Sequence, residues 1–283
     1  SMNHKKVDPK SNSLRENYHL LISGIAPRPI ALVGSKDSSN NFNLAPFSYF
    51  NAFGANPPVV GFSPALSGRT GLPKDTLVNI ESTKEFTVSI VTSEIVYQAS
   101  LASSEYEKNI DEFDKSGLGK CNSNIISTPG VLESPFIMEC KLIDIIKLGN
   151  KPGSGNLILG EVVFFHINED LFKDDGSIDA FKIDQVGRSG GGWYTKVKES
   201  LFKLSKPKGV GVGFDSIPYK FLNTSLTGNQ LAKLAAVEKI PKYINVNIPL
   251  NFNDLVKDLS EYINKDEIET AWQYILKWKY LNE

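Results

Sequence analysis

Asn43-Leu44-Ala45-Pro46-Phe47-Ser48-Tyr49-Phe50-Asn51, followed five residues later by Asn56-Pro57-Pro58-Val59-Val60-Gly61-Phe62-Ser63, sets the reading of this chain. Val59 to Ser63 is a short apolar run introduced by two prolines, the pattern of a strand opened by a turn. Upstream, Ile30-Ala31-Leu32-Val33-Gly34 is a second such run, set between Arg28-Pro29 and the polar cluster Lys36 to Asn41. Downstream, Glu85 to Thr92 alternates, with Phe86, Val88 and Ile90 on one side and Thr87, Ser89 and Val91 on the other. Ile137 to Leu148 and Leu157 to Asn168 are longer runs joined by a Gly- and Pro-rich turn, Gly149 to Gly155. Strands of this kind predict a mostly-β chain whose antiparallel sheet closes into a barrel of about six strands.

Helical spacing appears between and after these strands. Thr76 to Ser82 carries Leu77 and Ile80, and Tyr106, Ile110 and Phe113 recur at helical intervals before Gly117. Thr227-Gly228-Asn229-Gln230 is a capping box ahead of Leu231, Leu234 and Ala235. Leu255, Leu259 and Ile263, then Ile268, Trp272, Ile275 and Leu276, predict two closing helices. The expected organisation is an arm over 1–19, whose Ser before Met looks like a tag scar, a barrel domain over 20–204, and a helical extension over 205–283. Trp272, Tyr274, Trp278 and Tyr280 make that extension too apolar for a solvated tail, so it is expected to pack on the barrel or on a partner subunit.

Composition removes several classes of function. In 283 residues, 31 basic side chains nearly cancel 32 acidic ones, which argues against a nucleic-acid binder relying on a broad basic field. Two cysteines and three histidines are too few for a Cys-rich cluster and make an all-histidine metal cage improbable; no metal site is expected. The longest apolar run, Leu157 to Ile167, is broken by Glu161 and falls short of the ~18 residues of a membrane span. With no signal-like N-terminus either, a cytoplasmic location is expected. Gly209-Val210-Gly211-Val212-Gly213 lacks the dinucleotide spacing, and no Walker loop, His-Glu-x-x-His or Gly-x-Ser-x-Gly motif occurs. His166 and Cys140 lie in strand patterns and read as structural groups.

Four segments remain to be explained together: Arg28 to Gly34, Asn43 to Ser63, Lys74-Asp75-Thr76-Leu77-Val78-Asn79-Ile80 with Glu85-Phe86-Thr87-Val88, and Glu133-Ser134-Pro135-Phe136-Ile137-Met138-Glu139-Cys140. Pro46 stiffens its strand and removes one backbone donor, Asn43 and Ser48 offer short polar groups, and Tyr49 and Phe50 offer flat apolar surface. Asp75 suits the cap of a helix whose free amides, with Lys74 and Arg69 near, could hold a phosphate. In order and spacing these segments resemble the flavin reductase-like, FMN-binding split-barrel family, which includes flavoredoxin and the reductase components of two-component monooxygenases. Gly160-Glu161-Val162-Val163 and Arg188-Ser189-Gly190-Gly191 extend the resemblance, which covers roughly residues 20 to 240.

The resemblance implies a Greek-key split barrel with peripheral helices and a homodimer with flavin near the subunit interface. It also implies hydride transfer from NAD(P)H to FMN, or to FAD in its place, and electron transfer onward to a second flavin, oxygen, a monooxygenase or another protein. Asn43, Leu44, Ala45, Pro46, Ser48, Tyr49 and Phe50 would meet the ring, and Ser63, Arg69, Lys74, Asp75 and Thr76 the phosphate. Arg28 reads equally as a flavin or nicotinamide contact and as a structural ion pair, and Arg188 equally as a flavin contact and as part of a loop packing an aromatic. No side chain is singled out as catalytic, because the flavin carries the chemistry. An FMN-holding electron carrier without substantial NAD(P)H turnover is the alternative. A pyridoxamine-phosphate-oxidase-type enzyme on a related barrel fits the Asn43–Ser48 and Lys74–Thr76 segments less well.

Overall fold

The computed structural model describes residues 2–204, 206–207 and 209–283. The chain divides into two compact units, Ser1–Leu201 and Phe202–Glu283. The first contains, in order, α1 (Leu14–Gly24), β1 (Arg28–Pro29), β2 (Ala31–Lys36), β3 (Phe42–Phe47), β4 (Phe50–Ala55), β5 (Pro58–Phe62), α2 (Asp75–Thr83), β6 (Glu85–Ile90), α3 (Val96–Leu101), α4 (Glu112–Ser116), β7 (Lys120–Cys121), β8 (Gly130–Val131), β9 (Phe136–Lys147), β10 (Asn156–Ile167), β11 (Val186–Arg188) and β12 (Tyr194–Lys196). Seven strands form one antiparallel sheet in the order β3-β2-β6-β9-β10-β5-β4, one more than the six or so expected. β1, β11 and β12 form a three-stranded sheet, and β7 pairs with β8.

Strand alternation distributes this sheet between two cores. Successive side chains leave a strand on opposite faces. From β2, Ala31 and Val33 join Phe62, Leu77, Ile80, Phe86, Val88, Cys140 and Ile158 in one cluster. Leu32 joins Ile30, Leu44, Ile95, Ala99, Phe113 and Val131 in the other, under α3 and α4. Gly34 is the close approach in this strand: a Cβ there would stand 2.5 Å from Thr87 Oγ1 and 2.7 Å from the Pro129 carbonyl.

Two helices differ from the sequence expectation. α1 begins inside the segment read as an arm, on a capping box in which Ser13 and Glu16 each accept from the other's amide. The helix expected across Tyr106 to Phe113 is confined to α4. Asn109 has φ of 69°, which interrupts any helix through it, and the Asp111 side chain accepts the Phe113 amide to start the helix afresh. Gly117, at φ of 74°, closes it as expected.

The second unit comprises α5 (Tyr219–Leu222), α6 (Gly228–Ala235), α7 (Phe252–Asn264) and α8 (Ile268–Asn282). The Thr227–Gln230 capping box is formed. The sequence reading set the aromatic residues of the last helix against the barrel or a partner. In the structure Trp272 and Ile275 close a core with Phe221, Leu234, Leu255 and Leu259 of their own unit, and Trp278 packs edge-on against Phe221 at 5.0 Å. The Trp272 indole also donates to the Leu234 carbonyl at 3.0 Å. Trp272→Ala is expected to cost this unit about 3–5 kcal/mol, read by urea unfolding followed in the far-ultraviolet circular dichroism. A loss under about 1 kcal/mol would mean that the indole does not close the core.

Candidate functional site

β3 is an edge strand, and three separate segments of the chain meet on it. Asn43 and Leu44 are buried. Asn43 Nδ2 donates to Glu112 Oε2 at 2.8 Å, and the Leu44 amide donates to Glu112 Oε1 at 3.2 Å. The Thr76 hydroxyl donates to Asn43 Oδ1 at 3.0 Å. The side chains of Asn43 and Thr76, expected at the edge and phosphate of a ligand, thus face each other in the interior, with Thr76 only 1% exposed. Buried polar atoms require such partners. The backbone amide of Thr76 remains among the first donors of α2, which have no partner within the helix.

The start of α2 lies one residue earlier than its capping chemistry predicts. Lys74 occupies the cap position without a side-chain cap bond, and Asp75 is the first helical residue. An aspartate there still meets the positive end of the helix dipole, and it leaves the first amides uncapped. Lys74 and Asp75 are exposed. Arg69 is paired with Glu105 at 3.4 Å, and with side chains 80% and 78% exposed the pair contributes little stability. The Ser63 hydroxyl accepts the Asn156 amide at 3.0 Å and its own amide donates to the Tyr49 carbonyl at 2.9 Å, so Ser63 joins the end of β5 to the start of β10.

Farther along β3 the chain borders a cavity of about 180 Å³, walled by Pro46, Phe47, Ser48, Ser100, Arg188 and Tyr194. The Arg188 guanidinium lies 4.6 Å from the Tyr194 ring centroid and donates to the carbonyls of Gly191 and Trp193 at 2.8 and 3.1 Å. The glycine-rich loop is thereby folded back on Arg188. Arg28 sits opposite Arg188 in the β1–β11 ladder and is 5% exposed. Its Nη1 donates to the carbonyls of Ile22 and Ile25 at 2.7 and 2.5 Å, and its Nε to Ser48 Oγ at 3.4 Å. Burial lowers the guanidinium below its ordinary value, Tyr49 opposing and Arg188 adding to the effect. Arg28 is therefore a clasp between the end of α1 and the cavity wall. Ala45 is half-buried opposite Val33, while Tyr49 is exposed and Phe50, half-buried, opens β4.

A larger cleft of the first unit, about 440 Å³, holds none of the expected cofactor residues. His166 is on its wall, with Nε2 2.6 Å from the fully buried Glu139. Burial alone would raise the Glu139 carboxyl; the amides of Asn124, Ile125 and Ile126 and the His166 ring outweigh it and hold the group below its ordinary value. His166 and Glu139 are thus joined as a structural pair. Cys140 is fully buried, and burial pushes its thiol up. Glu112 went unnoticed in the sequence: it is 69 residues from Asn43, and no local pattern links the two.

Residues 23–180, all within the first unit, match the family described as the flavin reductase like domain. An uncharacterised protein of Halalkalibacterium halodurans is 37% identical over 206 residues, 71% of this chain and 96% of that protein. Among solved structures, nitrilotriacetate monooxygenase component B from Bacillus cereus is 33% identical with a TM-score of 0.68, over 72% of this chain and 100% of that one. A Shewanella frigidimarina protein described as a flavin reductase with a split-barrel domain is 28% identical, with a TM-score of 0.61 over 73% and 98% of the two chains. The seven-stranded antiparallel sheet is accordingly a split barrel, and the chain belongs to the flavin reductase-like family.

Proposed function

We propose that this protein is an FMN-binding flavin oxidoreductase that takes a hydride from NAD(P)H and passes electrons to a second acceptor, either another flavin, oxygen or a monooxygenase-type protein. The observation that carries this reading is the layout of β3. Asn43 abuts the first turn of α2, and Pro46 to Ser48 border the cavity three to five residues along. At about 3.3 Å per residue that is roughly 10–17 Å, the span of a ring joined to a phosphate by a short polyol.

Bound flavin would supply the redox chemistry, and the residues supply its placement. Pro46, Phe47 and Tyr194 offer flat walls, and Ser48 and Arg188 offer polar atoms at their rim. The first amides of α2 and the exposed Lys74 offer donors and charge for a phosphate. Arg69 can leave its solvent-exposed partner Glu105 to join them at little cost. About 180 Å³ is below the roughly 300–1,000 Å³ of small-molecule sites, so a second copy of the chain is part of the proposal. Exposed Phe53, Ile143, Ile146 and Leu148 on the sheet and its hairpin suit such a contact.

The protein is expected to quench FMN fluorescence with a dissociation constant in the low micromolar range or below. Riboflavin should bind about ten- to a hundredfold more weakly, because it lacks the charge-assisted bonds of the phosphate. Lys74→Ala should weaken FMN by about tenfold and leave riboflavin unchanged. No quenching at tens of micromolar would overturn the assignment.

Mixed with NADH or NADPH and excess FMN, the protein should consume many equivalents of nicotinamide. Bleaching of one equivalent of bound flavin without turnover would instead identify an electron carrier.

A further inference from the structure

Glu112 is a carboxylate held almost out of water, 8% exposed, at the start of the five-residue α4. Among the described residues no cation is paired with it; its partners are the two β3 donors, Asn43 Nδ2 and the Leu44 amide. An ionised carboxylate only accepts hydrogen bonds. It therefore fixes the Asn43 amide with its NH₂ toward Glu112 and its oxygen toward Thr76, whose hydroxyl donates to it. The chain of bonds runs from α4 through β3 to the first turn of α2, across sequence separations of 69 and 33 residues.

We propose that Glu112 is a positioning residue for the flavin phosphate: through Asn43 and Thr76 it fixes the first turn of α2, and with it Lys74, at a set distance from the Pro46–Ser48 end of the site. This rests on the assignment of the phosphate to that turn. Glu112 touches no ligand in this scheme. It holds the edge strand by its Leu44 amide and the helix start by the Asn43–Thr76 bond, so the two ends of one ligand meet a frame of constant length.

Protonation gives the role a signature. Burial raises the Glu112 carboxyl from 4.5 to about 7; its own amide and that of Leu44 oppose the rise, while Asp111 and Asp75 add to it. Lys120, the nearby cation, is paired with Asp111 at 2.6 Å. A carboxyl raised in the folded state favours folding below its unfolded value, and that contribution is lost as the pH rises through about 7. Positioning has the opposite sign, because the protonated acid gives up acceptor capacity toward Asn43 or Leu44. As the pH falls through about 7 the fold gains stability from this group while the preference for FMN over riboflavin declines. A merely structural carboxylate would show the first effect without the second.

The test is titration of the full-length protein with FMN and riboflavin from pH 5.5 to 8.5, beside Glu112→Ala and Glu112→Gln. Glu112→Ala should weaken FMN by about tenfold, the loss of one charge-assisted bond, with riboflavin within about twofold of wild type. Glu112→Gln keeps the shape and one acceptor, so it should fall between the two and lose the component of the pH profile near 7. The second ionisation of the phosphate ester, near pH 6, is common to all three proteins and cancels in the comparison. Wild-type ratios and pH profiles in both variants would overturn the proposal, and if Glu112→Ala does not fold, Glu112→Gln decides alone. A wild-type protein that binds FMN and riboflavin equally would remove the phosphate assignment itself, and this proposal with it. That outcome is read before any variant is made.

Discussion

β2 has no face left for solvent. From Ala31 to Ser35 every side chain is buried, with alternate residues serving two different hydrophobic clusters. That condition sets the rest of the first unit. Two layers must cover one strand, so the curled sheet with α2 occupies one side and α3 with α4 the other. A register slip of one residue would exchange the two sets, which ties β3 and β6 to their pairings with β2. Gly34 is required by the same crowding, because the Thr87 hydroxyl and the Pro129 carbonyl occupy the place a side chain would need.

The polar groups of the site inherit their positions from this packing. β3 lies at the edge of the sheet, so its outward amides need partners that do not come from another strand. Glu112 meets that need for Leu44, and Asn43 extends the same bonding to α2. Glu139 shows how differently a buried carboxylate can be treated. Three backbone amides and His166 keep it ionised, while Glu112, with fewer donors, is pushed toward neutrality.

Legibility in the sequence followed the range of the interactions involved. β6 was readable from its alternation, and the long β9–β10 hairpin from two extended runs joined by a Gly- and Pro-rich turn, both local signals. The start of α6 was readable because its capping box lies within four residues. The start of α2 was misplaced by one, since Asp75 serves the helix dipole as well from the first turn as from the cap. α1 escaped notice because Ile22 is its only buried residue, and a stripe of one gives no period. The segments that carry the resemblance fold as the strand β3 and the helix α2, yet the inward turn of Asn43 and Thr76 depended on Glu112, which only the tertiary fold brings near. Likewise the dense aromatics of α8 announced burial, expected against the barrel or a partner, and Trp272 and Trp278 pack among α5, α6 and α7 of their own unit.

The Arg28 guanidinium binds α1 and the cavity wall with one rigid group. Two of its bonds end on carbonyls in the last turn of α1 and beyond it, and the third reaches Ser48. A planar fork cannot lengthen one prong without tilting the others. The helix and the wall therefore share a hinge pin: a shift of α1 is felt at Ser48 as a rotation, and a molecule pressing on Ser48 is felt at Ile22. A lysine in that place would carry the same charge on one nitrogen, without the second nitrogen that reaches Ser48 while the first holds the two carbonyls.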